Sequence, residues 1–427
     1  MKICVVGLGK IGLPLAVQYA GKGHTVIGAD IDPAVVEHVN RAQAPFPGEA
    51  DLDVGLKTAV EAGTLSATLD TTAAVRAADA VVVVVPLYAD DAGRPGFSAM
   101  DAATRAIAAG LRPGALVVYE TTLPVGTTRT RLGPLLEEGS GLAVGADFAL
   151  AFSPERVLTG RVFADLRRYP KLVGGVDARS TAQAMAFYEA VLDFDQRADL
   201  PRPNGVWDLG SAEAAEFAKL AETTYRDVNI GLANQFARYA DSLGVDITGV
   251  IEACNSQPYS HLHKPGIAVG GHCIPVYPRL YLWNDPSATV VRAAREANAA
   301  MPEYAVGRLA AAFGDLTGVG VLVLGAAYRG GVKETAFSGA FPLVAGLRGR
   351  GAVPYVSDPL YTAAELEALG LPAHRGEPVA AALVQADHTE YAGLRAADLP
   401  GVSVLVDGRR VTDPGLWPGV RRIVIGG

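Results

Sequence analysis

The chain has 427 residues, 50% apolar and 19% charged, with a formal net charge of −8. That composition supports two or three folded domains with a large core and excludes an extended disordered chain. No basic run interleaved with aromatics occurs, so nucleic acid is not expected as a partner.

The first element is MKICVVGLGKIGLPLAVQYA. It imitates a signal peptide, but Lys10 interrupts its apolar run and no small-residue cleavage site stands clear of the next strand. Its glycines carry a different message. Gly7, Gly9 and Gly12 form G-x-G-x-x-G directly after the strand KICVVG and at the start of a helix. The first glycine permits the turn, the second lets backbone approach a pyrophosphate, and the third allows helix to pack on strand. Asp30, 18 residues past Gly12, ends the second strand, HTVIGAD. A carboxylate there bonds a ribose 2′-hydroxyl and favours NAD over NADP. An ordinary tight turn is the alternative reading.

Further strands follow as AVVVVVP (Ala80 to Pro86), ALVVYET (Ala115 to Thr121), FALAFSP and KLVGG, alternating with helix-like runs. They are apolar throughout, the pattern of a parallel sheet covered on both faces. Pro201 to Gly205 reads as a linker. From Ser211 a proline-free helical run extends to about Leu243, with Ser211 as N-cap and Gly244 as the stop. Helices this long often join two lobes or form a dimer interface. A second alternating segment begins near Val319, with strands VGVLVLGAAY, VPYVSDP, ADHTEY and VSVLVDG. The expected architecture is α/β: two Rossmann-like, doubly wound parallel-sheet domains joined by a long central helix and a helical middle. No uninterrupted apolar run reaches the ~18 residues of a membrane span, so no membrane partner is expected.

The three cysteines, Cys4, Cys254 and Cys273, give neither a disulfide framework nor a metal-binding spacing, which suits a cytoplasmic protein without a metal. Cys4 lies in a core strand and Cys254 near a helix end, so both read as structural. Cys273 is different. It sits in GIAVGGHCIPVYP, Gly266 to Pro278, behind a double glycine and before a proline. Glycines let backbone crowd a ligand, and a thiol can attack a carbonyl. A small buried hydrophobe in a tight turn is the competing reading.

Together, GLGKIGLPLA, the VVVVVP strand end, ETTLPVGTT, FSPERVLTGR, AKLAETTYRDVN and PGIAVGGHCIP resemble, in order and over nearly the whole chain, the UDP-glucose/GDP-mannose dehydrogenase family. The similarity is greatest to its UDP-N-acetyl-mannosamine dehydrogenase branch. The resemblance implies an NAD-binding domain (1–205), a central helical dimerisation domain (206–305) and a C-terminal UDP-binding domain (306–427). It implies a homodimer and NAD-dependent oxidation of a UDP-sugar C6 alcohol to a carboxylate, through a cysteine thiohemiacetal and thioester. Cys273 stands at the nucleophile's place and Lys219 at that of the lysine that stabilises oxyanions. Glu155 matches a carboxylate that handles water or a proton, and Thr122 a threonine at the nicotinamide. Val85 and Pro86 would lie over the cofactor ribose, and Arg329 takes the place of a C-terminal cofactor-contacting lysine. Arg156, Arg161, Lys219, Thr223, Arg226, Gly266, Gly270 and Gly271 are the implied substrate contacts.

Four positions depart from the family's pattern: Thr223 for an Asn, Tyr277 for an Asp, Ala336 for an Arg, and Tyr259 for the arginine donated across the dimer. A phenol cannot replace a carboxylate near neutral pH. These departures leave open the same chemistry on another nucleotide-linked or phosphorylated alcohol, oxidation that stops at the aldehyde, and a non-catalytic cofactor-binding homologue.

Overall fold

In a computed structural model, which describes residues 1–90 and 93–427, the chain forms two compact units, Met1–Ala221 and Glu222–Gly427. The boundary between them falls inside the long helix.

The first unit is built on an eight-stranded sheet. Its strands are β1 (Lys2–Val6), β2 (Thr25–Ala29), β3 (Leu65–Thr68), β4 (Ala80–Val83), β5 (Leu116–Tyr119), β6 (Ala149–Phe152), β7 (Lys171–Gly175) and β8 (Val206–Asp208), in the order β8-β7-β6-β5-β4-β1-β2-β3. Successive residues of β1 feed opposite cores: Ile3 and Val5 pack on one face, Cys4 and Val6 on the other. This explains the unbroken apolar runs, since neither face meets water.

Parallel register brings the carboxyl ends of β1, β2, β4, β5 and β6 to one edge: Val6 pairs with Ala29 and Val83, and Val83 and Phe152 both pair with Tyr119. The chain order reverses on either side of β1, which places the glycine loop at the switch point where α/β sheets bind ligands. The apolar runs suggest a wholly parallel sheet, but one strand is reversed. β7 runs antiparallel to β6, with Phe152 opposite Gly174. Its first residue, Lys171, therefore reaches the carboxyl edge, where a parallel strand would present its last.

The segment Pro201–Gly205 has no regular structure and leads directly into β8, which returns to the same sheet beside β7. The long helix runs Ala212–Leu243. Ser211 caps it, its Oγ accepting from Ala214 N at 3.2 Å, and Gly244 ends it with φ +67°.

The second unit holds a five-stranded parallel sheet, β9 (Gly320–Leu324), β10 (Val353–Ser357), β11 (Ala381–Val384), β12 (Val404–Asp407) and β13 (Arg421–Val424), in the order β10-β9-β11-β12-β13. The expected strand ADHTEY is not one. The strand lies just before it, and Thr389–Gly393 form a 3-10 turn instead. The reason is polar: Asp387 accepts from Gly330 N at 2.8 Å, and His388 is buried against Asp358 at 3.1 Å.

Candidate active site

The glycine loop has the geometry that a dinucleotide needs. Gly7 takes φ +92°, and a Cβ there would lie 3.0 Å from Val84 O. At Gly12 a Cβ would fall 1.8 Å from Gly7 O, so only glycine lets helix α1 (Gly12–Gly21) begin there. At Gly9 a Cβ would meet nothing within 4 Å, which leaves an open approach to the backbone. The Asp30 carboxylate sits at the end of β2, accepting from Leu8 N at 2.7 Å and Asp32 N at 3.0 Å. These residues fit NAD: an accessible helix N-terminus for the pyrophosphate and an acid beside it for the ribose. Val85 and Pro86 follow β4 on the same edge, with Val85 O accepting from Thr121 Oγ1 at 2.7 Å. Thr122 is buried just beyond β5.

On this edge lies a charge cluster of which the sequence singled out only Glu155. Lys171, only 4% exposed, donates to Glu120 Oε2 at 2.7 Å and to Glu155 Oε2 at 2.8 Å. Tyr188 OH, from helix α2 (Ala178–Val191), donates to Glu120 Oε1 at 2.6 Å, and its ring lies 4.8 Å from Lys171 Nζ. Burial pushes Glu120 up to about 7, although Lys171 opposes the shift. Burial works against charge on Glu155, but Lys171, together with Arg156 N and Lys219, outweighs it and the group is held below its ordinary value. Burial disfavours the ammonium as well, yet the two carboxylates raise it. Glu155 Oε1 accepts from Arg156 N at 2.7 Å.

The long helix, labelled α3, docks here with two side chains three residues apart. Lys219, 6% exposed, donates to Glu155 O at 2.6 Å. Glu216, fully buried, accepts from Thr128 N at 2.8 Å, Thr128 Oγ1 at 2.6 Å and Gly126 N at 2.5 Å, and so ties down the loop after Thr122. Burial pushes Glu216 up to about 7. Arg156 donates to Pro170 O at 2.6 Å, and Arg161 pairs with Asp165 at 2.7 Å.

The remaining candidates lie in the second unit. Cys273 is an exposed free thiol, while Cys4 is fully buried and pushed up to about 12 by burial. The Cys273 carbonyl accepts from Val276 N at 3.2 Å and Tyr277 N at 2.9 Å, the turn that opens helix α5 (Tyr277–Asn284) once α4 (Ile247–Asn255) is passed. The double glycine lies on Tyr328: a Cβ at Gly270 would be 2.4 Å from Tyr328 Cβ, and at Gly271, with φ +91°, 3.1 Å from the ring. At Gly266 a Cβ would come 2.7 Å from the Arg409 guanidinium. Arg329 is exposed, its Nε donating to Tyr328 OH at 3.1 Å. Thr223 is fully buried. Arg226 is half-buried, and its Nε makes no hydrogen bond among the described residues. Of the divergent positions, Tyr259 is 92% exposed, and Ala336 contributes its carbonyl, which accepts from Gly271 N at 2.8 Å.

Removing the cation from the buried cluster leaves two carboxylates facing each other. Lys171→Met is expected to lower stability by about 3–5 kcal/mol in urea unfolding at pH 7. Glu216 supplies a pH signature. Its folded-state pKa lies above the ordinary 4.5, so between 4.5 and about 7 the folded chain holds a proton that the unfolded chain has lost. Stability then falls as pH rises through that window. In Glu216→Gln the fall should be shallower than wild type by up to about 1.4 kcal/mol per pH unit. Unfolding free energies at pH 5, 6 and 7 measure it, and identical slopes would contradict the assignment.

Comparison with known proteins places this geometry in a family. Residues 1–192 match the NAD binding domain of the UDP-glucose/GDP-mannose dehydrogenase family, and residues 213–300 match its central domain. A UDP-N-acetyl-D-mannosamine dehydrogenase from Pyrococcus horikoshii is 37% identical over 351 residues, 81% of this chain and 80% of the relative. An NDP-N-acetyl-D-galactosaminuronic acid dehydrogenase from Ralstonia solanacearum is 36% identical over 314 residues, 72% of this chain and 70% of the relative. The solved structure of UDP-D-ManNAc dehydrogenase from Pyrococcus horikoshii superposes with a TM-score of 0.88 at 32% identity, covering 100% of this chain and 99% of that one. With the glycine loop shaped for a dinucleotide, the chain belongs to the UDP-glucose/GDP-mannose dehydrogenase family and is an NAD-dependent nucleotide-sugar dehydrogenase.

Proposed function

We propose that the chain oxidises the C6 alcohol of a UDP-linked N-acetylmannosamine-type sugar to the carboxylate, with Cys273 as covalent nucleophile. The observation that carries the substrate class is the end-to-end likeness to the Pyrococcus enzyme named for that sugar nucleotide. What carries the nucleophile is the exposure of Cys273 at a glycine-lined turn, against the deep burial of Cys4.

The reaction is four-electron. C6 first loses a hydride and its hydroxyl proton, giving the aldehyde. Cys273 Sγ then bonds to C6, forming a thiohemiacetal. Loss of the second hydride and of the thiohemiacetal hydroxyl proton leaves a thioester, and water displaces Sγ to give the carboxylate and return the thiolate, with two protons released. Two NAD molecules, bound in turn, would each accept one hydride. Lys219 offers its ammonium to the oxygen on C6 as negative charge develops there. Glu155 holds Lys219 through its carbonyl and, kept ionised by Lys171, acts as a fixed negative charge that orients water. Thr122 would contact the nicotinamide end of the cofactor and the attacking water. Gly7, Gly9, Gly12, Asp30, Val85, Pro86 and Arg329 are the proposed cofactor contacts. Arg226, whose buried Nε has bonding capacity to spare, is the substrate contact with the most direct support. Arg156, Arg161, Thr223 and Gly266, Gly270 and Gly271 complete that proposed set. A related sugar nucleotide is the second reading, favoured by the nearly equal identity of the Ralstonia relative.

We also propose a homodimer through α3. Within the second unit, Tyr225, Leu232, Phe236, Tyr239 and Leu243 are exposed at spacings of one helical face, an apolar stripe that water does not favour. A reducing, cytoplasmic setting is supported by three free thiols. Among the described residues no helix is long and apolar enough to cross a membrane.

Incubation with NAD and UDP-N-acetylmannosamine should yield two NADH per sugar, and Cys273→Ser should yield no carboxylate. One NADH per sugar would stop the reaction at the aldehyde, and full turnover by the serine variant would remove Cys273 from the mechanism. In sedimentation the wild type should run as a dimer and Leu232→Glu/Tyr239→Glu as a monomer. A monomeric wild type sinks the dimer.

A further inference from the structure

We infer that Asp227, Arg295, Asn298 and Asn234 are positioning residues for Cys273, forming one buried polar network that grips the cysteine loop at both ends. The inference rests on the reading of Cys273 as the nucleophile.

The network can be followed atom by atom within the second unit. Gly266 N, at the start of the loop, donates to Asn234 Oδ1 at 2.9 Å. Asn234 Nδ2 donates to Asn298 Oδ1 at 2.8 Å. Asn298 Nδ2 donates to Asp227 Oδ1 at 2.7 Å and to Asp227 O at 3.0 Å. Asp227 Oδ2 lies 2.6 Å from Arg295 Nε, and Arg295 Nη1 donates to Pro275 O, at the end of the loop, at 3.3 Å. Asp227, Asn234 and Asn298 are 0–2% exposed.

The supports are rigid. Asp227 and Asn234 lie on α3, and Arg295 and Asn298 on α6 (Thr289–Ala299). The two helices touch where Gly231 faces Ala294: a Cβ on Gly231 would be 3.1 Å from Ala294 O. Burial follows the same logic along the loop. Gly266 and Pro275 are buried, whereas His272 and Cys273 between them are exposed. A segment held at both ends samples fewer conformations, so the thiol has less to lose in reaching its reactive geometry. Buried amides serve this purpose because an unmade hydrogen bond there is expensive.

The test uses the full chain. In Asn298→Ala, hydrogen exchange should quicken about tenfold in peptides covering residues 266–275. The turnover number should fall by about 100-fold while NAD affinity stays at the wild-type value. Leu405→Ala, a core truncation in β12, serves as a control that lowers stability without quickening exchange in that loop. If Asn298→Ala does not fold, Arg295→Lys keeps a charge opposite Asp227 but removes the fork that spans to Pro275. It should show the same signature more weakly. Wild-type exchange at 266–275 in the variants overturns the proposal whatever the turnover. So does wild-type turnover in a variant whose loop exchanges faster, provided Cys273→Ser is inactive. If Cys273→Ser turns over normally, it is the nucleophile reading that fails.

Discussion

An ammonium group taken out of water must find negative charge nearby, and Lys171 finds two carboxylates within 2.8 Å. Much of the carboxyl edge of the first sheet depends on that arrangement. Glu155 stays ionised because of it, Glu155 in turn presents its carbonyl to Lys219, and Lys219 lies on the helix that pins the loop after Thr122 through Glu216. A buried ion pair adds little stability by itself, because desolvation offsets most of the attraction. Its value here is geometric. A charged group with fixed partners has one orientation, and each element bearing a partner is held in register with the others.

The second unit solves a similar problem with neutral groups. Two asparagines carry hydrogen bonding from an ion pair to a backbone amide, linking α3 and α6 to a loop in which His272 and Cys273 remain open to solvent. Each asparagine donates with its nitrogen and accepts with its oxygen, so the direction of every bond follows from the next.

Much of this was legible in the sequence. The glycine loop, Asp30, the apolar strands of the first sheet and both ends of the long helix follow from local chemistry: turns, caps and burial on two faces. The reversal of β7 was not. KLVGG reads the same in either direction of pairing, and only tertiary contact with β6 decides it. Lys171 was missed for that reason. Its partners Glu120 and Glu155 lie 51 and 16 residues away, with no periodicity to join them. Asn234 and Asn298 are 64 residues apart and were missed on the same ground. ADHTEY misled because its short apolar ends look strand-like, while its Asp and His are committed to loops. Short β3, β8 and β13 carry too little pattern to stand out, Val206–Asp208 spanning only three residues.

The reversed strand also bears on the order of folding. β6 and β7 follow one another along the chain, and closing the loop between them is an entropic cost met before any contact is gained. Until β7 seats against β6, Lys171, Glu120 and Glu155 keep their hydration. The charges are dried only when the strand that carries the lysine arrives. Unseating β7 would expose all three charges at once, so local opening there must break the whole cluster. The edge that holds Lys219 in place is thus tied, through Glu155, to the seating of β7.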